Sequence, residues 1–146
     1  MDGRSVLKNS YLFRSVSDND LDSVLALTER KRFHQGEFVY AAGSDADAMF
    51  FVEMGTVDIT VKGKEIPIIT AGTGQSFGEL GFFRPAKRPV SALAREQTHL
   101  LRIPYDRLTT LLGERPALAL AVYRNASGFF AKHLELISFE VDYRYL

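Results

Sequence analysis

The sequence predicts a mainly β domain, either a barrel or a sandwich, with helices at both ends. Between about residues 32 and 103, short apolar and β-branched runs alternate with glycine-containing turns, a pattern typical of such β folds. On either side of this region, apolar residues recur at helical spacing instead. The 146 residues, 46% hydrophobic and 25% charged, are enough for one domain with a sizeable core.

Helical signals dominate the N-terminal segment, residues 1–31. The apolar group 11–13 is expected to anchor a helical or irregular flap. Ser17 is a good N-cap, and Asp20 follows three residues later, close to a capping box. Leucine and valine then recur at helical spacing, so we predict a helix from Asp18 to about Glu29.

Six strand-like runs follow in the β region, residues 32–103. Pro67 lies inside the fourth run and implies an edge strand or a bulge, because proline cannot donate to a strand ladder. The six runs are Phe38–Tyr40, Met49–Val52, Val57–Val61, Ile66–Thr70, Val90–Ala94 and Thr98–Ile103.

Two helices are predicted in residues 104–137. Pro104 opens a short helix that Gly113 is expected to stop, and Pro116 starts a longer helix to about Ile137. The longer helix has two adjacent apolar faces, wide enough to cover the β region and also to contact a second surface. In the tail, residues 138–146, apolar and charged residues alternate, which suits a half-exposed strand, an extended arm or frayed helix.

The stretch between Phe77 and Ala94 carries the clearest chemical signal. A turn opening at Gly78 could direct several backbone N–H groups at one anion. Arg88 supplies a guanidinium fork that matches two phosphate oxygens, and an ionised Glu79 accepts hydrogen bonds from hydroxyl pairs such as those of ribose. This combination suggests a nucleotide. Taken singly, Glu79 could instead cap a short helix, and Arg88 could lie on the surface or pair with Glu79.

The run Phe77-Gly78-Glu79-Leu80, with Arg88 and then Ser91 at this spacing, resembles the phosphate-binding cassette of cyclic nucleotide-binding domains. The resemblance implies a double-stranded β-helix (jelly-roll) barrel with an N-terminal helix and two C-terminal helices, the cassette covering residues 77–92. It also implies roles for the cassette residues. Gly78 and Leu80 would offer backbone N–H groups to the phosphate, Glu79 would accept from the ribose 2′-hydroxyl, and Arg88 would pair with the cyclic phosphate.

Pro89 departs from the family pattern. In many members the residue after the arginine donates a backbone N–H to the phosphate, and proline has none. Loss of one hydrogen bond to a charged group costs about 1.5–3 kcal/mol, so tight binding would need compensation, for example from Ser91. Guanine-preferring members resemble one another in having threonine there, so the expected ligand is cAMP, with no further cofactor.

The purine is expected to lie against apolar side chains of the barrel, with Ile59 and Ile68 as candidates. Both residues could equally be plain core. In the family the long C-terminal helix closes over the base, which makes Phe130 and His133 candidates for a lid. His133 could also be an ordinary histidine on a helix surface.

Several classes of function are disfavoured. The chain has no cysteine, its three histidines form no close pair, and no serine has a Gly-x-Ser-x-Gly setting, so no thiol, metal or serine-hydrolase chemistry is predicted and the chain is not expected to be an enzyme. A net charge of zero argues against nucleic acid as a partner. Neither a membrane-length apolar run nor a signal-peptide pattern is present, so a soluble cytoplasmic protein is expected.

The sequence therefore favours a regulatory module that binds a cyclic nucleotide and re-sets its C-terminal helix. The output would act on an effector protein, on a second copy in a homodimer through that helix, or on an output domain absent from this chain. Direct DNA binding is not expected, because about nine residues follow the helix, too few for a helix-turn-helix. The main alternative is a degenerate member that no longer binds nucleotide and serves interaction or dimerisation. A metal-dependent barrel enzyme is the third functional hypothesis.

Overall fold

A computed structural model describes residues 1–61 and 66–138 of the chain. Eight strands lie between two N-terminal and two C-terminal helices, and one short helix interrupts them. The elements in chain order are α1 (Gly3–Asn9), α2 (Asp18–Leu25), β1 (Glu29–Phe33), β2 (Phe38–Tyr40), β3 (Ala48–Met54), β4 (Thr56–Thr60), β5 (Ile69–Gly72), β6 (Ser76–Phe77), α3 (Leu80–Phe83), β7 (Ser91–Ala94), β8 (Thr98–Pro104), α4 (Tyr105–Glu114) and α5 (Pro116–Ser138).

The strands form two four-stranded sheets. One sheet has the order β1-β8-β3-β6 and the other β2-β7-β4-β5, and every pairing is antiparallel. Crossovers of this kind place sequence-distant strands side by side, as in barrels and sandwiches. The predicted mainly β fold with flanking helices is confirmed.

The core has two parts that share the strands β3 and β8. Side chains alternate across a strand, so Phe50 and Leu100 face one part while Phe51 and Leu101 face the other. The barrel cluster lies between the sheets and consists of Ala48, Phe50, Val52, Val57, Ile59, Ala71, Phe77, Ala92 and Leu100. The helical cluster joins the outer face of β3 and β8 to α1, α2, α4 and α5 through side chains that include Leu7, Phe13, Leu21, Met49, Ile103, Leu108, Leu118 and Val122.

Three boundaries differ from the sequence prediction. The helix predicted to reach about Glu29 ends at Leu25, because Glu29–Phe33 forms the edge strand β1. The run Ile66–Thr70 enters a strand only at Ile69, and Pro67 lies before that edge strand. Helix α4 continues through the predicted stop at Gly113, since nothing there demands a left-handed backbone, and ends one residue later, near Pro116.

Two further predictions concern the end of the chain and the membrane. The long helix runs from Pro116 to Ser138, close to its predicted length, and the remaining tail lies outside the described residues. Within the described ranges, no helix is both long enough and apolar enough to cross a membrane.

Candidate functional site

The cassette begins where β6 ends. Gly78 has φ +77°, a left-handed conformation that side-chain-bearing residues rarely adopt. A Cβ at this position would lie 3.0 Å from Arg88 Nη1 and 3.3 Å from the ring of Tyr40. Glycine therefore permits both the turn and the close approach of Arg88. Helix α3 follows directly, with Glu79 at its N-cap position.

Arg88 is buried, with only 5% of its surface exposed. Its Nη2 donates to the carbonyl of Ala48 at 2.6 Å, and its Nη1 donates to the carbonyl of Gly78 at 3.0 Å. The guanidinium carbon lies 4.0 Å from the centre of the Tyr40 ring, a cation–π contact. Nε is buried and has no hydrogen-bond partner. Arg88 is thus neither a surface residue nor, among the described residues, the partner of an acid in an ion pair.

Two tyrosines that the sequence analysis did not single out surround Arg88. Tyr105, the first residue of α4, donates its hydroxyl proton to the carbonyl of Gly78, and its oxygen lies 3.4 Å from Arg88 Nη1. Burial raises the pKa of Tyr105 and raises the pKa of Tyr40 to about 12, so both hydroxyls are protonated at neutral pH. No local sequence pattern marks Tyr105, because its contact with Arg88 forms only when β8, which it directly follows, has paired with β3.

Glu79 has a partner from the other end of the chain. Its Oε1 accepts a hydrogen bond of 2.8 Å from the hydroxyl of Tyr11. Burial, and then the charge of Glu79, raise the pKa of Tyr11, so this hydroxyl remains a donor. Although Glu79 occupies the N-cap position of α3, its side chain makes no capping hydrogen bond. The carboxylate is therefore positioned by Tyr11 and not by the helix it precedes.

The other predicted cassette residues lie at the rim. Leu80 is 59% exposed on the first turn of α3, and Pro89 is exposed immediately after Arg88. Ser91 begins β7, and its Oγ accepts a hydrogen bond of 2.9 Å from the backbone N–H of Ala42. The Ser91 hydroxyl thus fastens the loop after β2 to the strand that follows the cassette.

The two candidates for the base wall differ in burial. Ile59 is only 6% exposed and belongs to the barrel cluster, whereas Ile68 is 59% exposed and precedes β5. The backbone N–H of Ile68 donates to the carbonyl of Ile59 at 2.9 Å, so the two residues are neighbours across an edge of the sheet. The Ile59 side chain thus lies in the core, whereas that of Ile68 is exposed.

The two lid candidates also lie in different surroundings. Phe130 is half-buried, and its ring packs edge-to-face on Phe83 of α3 with the ring centres 5.6 Å apart. His133 is exposed, and its ring lies 4.1 Å from that of Phe129, with Nδ1 at 2.9 Å from the Phe129 carbonyl. The structure therefore brings Phe130 against the cassette helix and leaves His133 on the outer part of α5. No cluster of metal-ligating side chains occurs within residues 1–61 and 66–138.

Two four-stranded antiparallel sheets with flanking helices define a jelly-roll domain, and its candidate site is a buried arginine near a carboxylate that follows a glycine turn. Residues 30–115, more than half of the chain, match the family model described as "Cyclic nucleotide-binding domain". The chain belongs to this family, and the resemblance seen in the cassette is confirmed.

Known proteins similar to the chain include a cyclic AMP receptor protein and a regulatory subunit of cAMP-dependent protein kinase. The cyclic AMP receptor protein of Thermus thermophilus is 27% identical over 93% of this chain and 62% of its own length. The cAMP-dependent protein kinase regulatory subunit of Debaryomyces hansenii is 30% identical over 70% of this chain and 22% of its own length. The chain thus spans less than two thirds of either relative.

A solved structure confirms the jelly-roll fold. The N-terminal domain of a transcriptional regulator from Streptomyces coelicolor superposes with a TM-score of 0.81 at 24% identity, covering 88% of this chain and 94% of that domain. At this identity the likeness concerns the fold alone.

Proposed function

We propose that the chain is a regulatory module that binds a cyclic nucleotide, cAMP in preference to cGMP, between Arg88 and Glu79. The observation that carries the proposal is the burial of Arg88, which among residues 1–61 and 66–138 has no carboxylate partner and whose Nε has no hydrogen-bond partner there. A buried charge and an unpaired buried donor both cost free energy, and one bound anion would relieve both costs.

The charges favour a cyclic phosphodiester over other phosphates. It carries one negative charge, which a single guanidinium neutralises, whereas a triphosphate would need more cations. The ribose 2′-hydroxyl would donate to Glu79, and backbone N–H groups of Gly78 and Leu80 would approach the phosphate. Pro89 offers no N–H, so moderate affinity is expected, and the absence of threonine there favours adenine.

The output of the module would run through α5. Phe130 of α5 packs on Phe83 of α3, the short helix of the cassette. A shift of α3 on binding would therefore change the position at which α5 packs. A ligand moves such an equilibrium only as far as its affinities for the two positions differ. The receiver would be an effector protein, an output domain of a longer chain, or a second copy paired through α5. The module itself is not proposed to catalyse a reaction.

Calorimetric titration with cAMP, cGMP and linear AMP tests the proposal. The wild-type protein should bind cAMP saturably and more tightly than the other two nucleotides, and Arg88→Ala should abolish binding. Arg95→Ala is a matched control, because Arg95 is exposed and pairs with Asp58 away from the cassette. It should bind as the wild type does. Far-UV circular dichroism and the thermal midpoint report whether each variant is folded. Failure to detect binding of cAMP up to submillimolar concentration would refute the proposal.

The second candidate function is an interaction module without nucleotide. The outer face of α5 favours it, because Leu120 and Tyr123, three residues apart on this helix, are each about half exposed. This candidate requires that the protein self-associate in sedimentation experiments while titration detects no nucleotide. Binding of cAMP with loss in Arg88→Ala would reject it.

A further inference from the structure

Two charged side chains of the cassette, Glu79 and Arg88, each lie close to a tyrosine hydroxyl from the helical part of the fold. Arg88 Nη1 lies 3.4 Å from the hydroxyl of Tyr105, and Glu79 accepts from the hydroxyl of Tyr11 at 2.8 Å. Tyr105 belongs to α4, directly after the strand that pairs with β3. Tyr11 is different, because it lies 68 residues from Glu79, in the segment between α1 and α2.

Tyr11 joins the cassette to α5. Its ring stacks on the ring of Phe129 with the centres 3.8 Å apart and the planes 9° apart, and it meets Phe130 edge-on at 6.5 Å. The Tyr11 side chain therefore donates to the Glu79 carboxylate through its hydroxyl and packs on α5 through its ring. Such aromatic pairs contribute beyond the area that they bury.

We propose that Tyr11 is the switch between the ribose and α5. Tyr11 donates to the Oε1 atom of Glu79, and the ribose 2′-hydroxyl would replace the tyrosine at that same oxygen, so a ribonucleotide would exchange one hydroxyl donor for another. When the Tyr11 hydroxyl is released, the ring is no longer held between Glu79 and Phe129. The position at which α5 packs then changes, because Phe129 belongs to that helix. This inference rests on the proposed function, and names the residue that transmits it.

The exchange has a consequence for specificity. In the wild type the 2′-hydroxyl replaces an existing hydrogen bond, so it adds little net affinity. Without the Tyr11 hydroxyl, the carboxylate would be left without this donor until the ribose arrives, and the 2′-hydroxyl would add the full bond. A hydrogen bond to a charged group changes a binding constant by more than about tenfold. Because water solvates the free carboxylate and offsets part of this, we expect removal of the Tyr11 hydroxyl to raise the affinity for cAMP by roughly three- to tenfold.

Tyr11→Phe isolates the hydroxyl, because the ring and its stacking on Phe129 remain. Tyr123→Phe is the matched control: it makes the same change on α5, in a ring that contacts Phe82 and Phe83. Each protein is titrated with cAMP and with 2′-deoxy-cAMP, which lacks the competing donor. Tyr11→Phe should bind cAMP roughly three- to tenfold more tightly than the wild type and 2′-deoxy-cAMP with unchanged affinity. Tyr123→Phe should change neither affinity.

Hydrogen exchange measured by mass spectrometry tests whether the ribose changes the packing of α5. In the wild type, cAMP should alter the protection of α5 residues 123–136, whereas 2′-deoxy-cAMP should alter it far less. Equal gains for both nucleotides in Tyr11→Phe, or no gain for either, would overturn the role of Tyr11 and leave cAMP binding by the wild type standing. No binding of cAMP by either protein would overturn the proposed function and the switch together. If Tyr11→Phe is poorly folded, the wild type alone decides: it should bind cAMP and 2′-deoxy-cAMP with nearly equal affinity, and a preference of about tenfold or more for cAMP would overturn the exchange.

Discussion

Gly78 meets two separate requirements at one position. Its backbone is left-handed, and its missing Cβ leaves room for the Arg88 guanidinium at 3.0 Å. Gly36 provides a matched comparison, since it has φ +86° but no atom lies within 4 Å of the point that a Cβ would occupy. The left-handed conformation costs a side-chain-bearing residue roughly 1–2 kcal/mol. Gly36→Ala should therefore lower the free energy of unfolding by about this amount, and Gly78→Ala by at least as much because its methyl group also crowds Arg88. Urea denaturation measures both losses.

Only Gly78→Ala should also weaken cAMP binding, because only there does the new methyl group displace Arg88. Calorimetric titration of the two variants at a temperature where both are folded checks this separation. Equal affinities for the two variants would show that the space around Gly78 does not position Arg88.

Sequence patterns identified Glu79 and Arg88 but not the three tyrosines that contact them. The two charged residues lie in one short stretch, so a motif can reveal them. Tyr11, Tyr40 and Tyr105 reach the cassette from three different elements, and their contacts exist only after the sheets and helices have packed. A single sequence carries no local signal for such long-range partners.

The loop that presents Arg88 is fixed to the loop after β2. The backbone N–H of Arg88 donates to the carbonyl of Ser44 at 2.8 Å, and its carbonyl accepts from Gly43 at 2.7 Å. An exposed ion pair of 2.5 Å between Lys87 and Asp45 lies beside these bonds. The position of the next residue, Pro89, is thus set by backbone bonds and does not depend on its own side chain.

Pro89→Ala restores a backbone N–H at this fixed position. If that N–H reaches the phosphate, as the family resemblance implies, cAMP affinity should rise by roughly tenfold, since the added bond is made to a charged group. Unfolding stability should fall slightly, because alanine leaves the unfolded chain more freedom. Titration and urea denaturation measure the two effects. Unchanged affinity would mean that the phosphate is bound without a donor from residue 89.

Elements were predictable where their patterns were local. Strands with apolar alternation and the helix after Pro116 follow from residue periodicity. The edge strand β1 could not be predicted in this way, because its sequence Glu-Arg-Lys-Arg-Phe is charged. In the structure its Glu29 forms an ion pair of 3.1 Å with Arg102 of the neighbouring strand β8. Charged edge strands discourage unwanted pairing with other chains. The same charges remove the apolar alternation from which strands are predicted.

Strands β3 and β8 belong both to the barrel and to the surface on which the helices pack. Phe50 and Leu100 line the barrel cluster while their neighbours Phe51 and Leu101 line the helical cluster. A ligand bound in the barrel, as proposed, would therefore contact the same strands that carry α1, α4 and α5. Close packing on both faces transmits small displacements instead of absorbing them.

Helix α5 divides into a half that belongs to the core and a half that extends beyond it. Leu118 is 1% exposed, whereas Leu136 is 57% exposed. Leu118→Ala should lower the free energy of unfolding by about 2–4 kcal/mol, because it opens a cavity in the helical cluster. Leu136→Ala should change it by less than about 0.5 kcal/mol. Urea denaturation of both variants measures the difference. A comparable loss in both variants would show that the outer half of α5 is packed, and a helix held along its whole length could not move in response to a ligand.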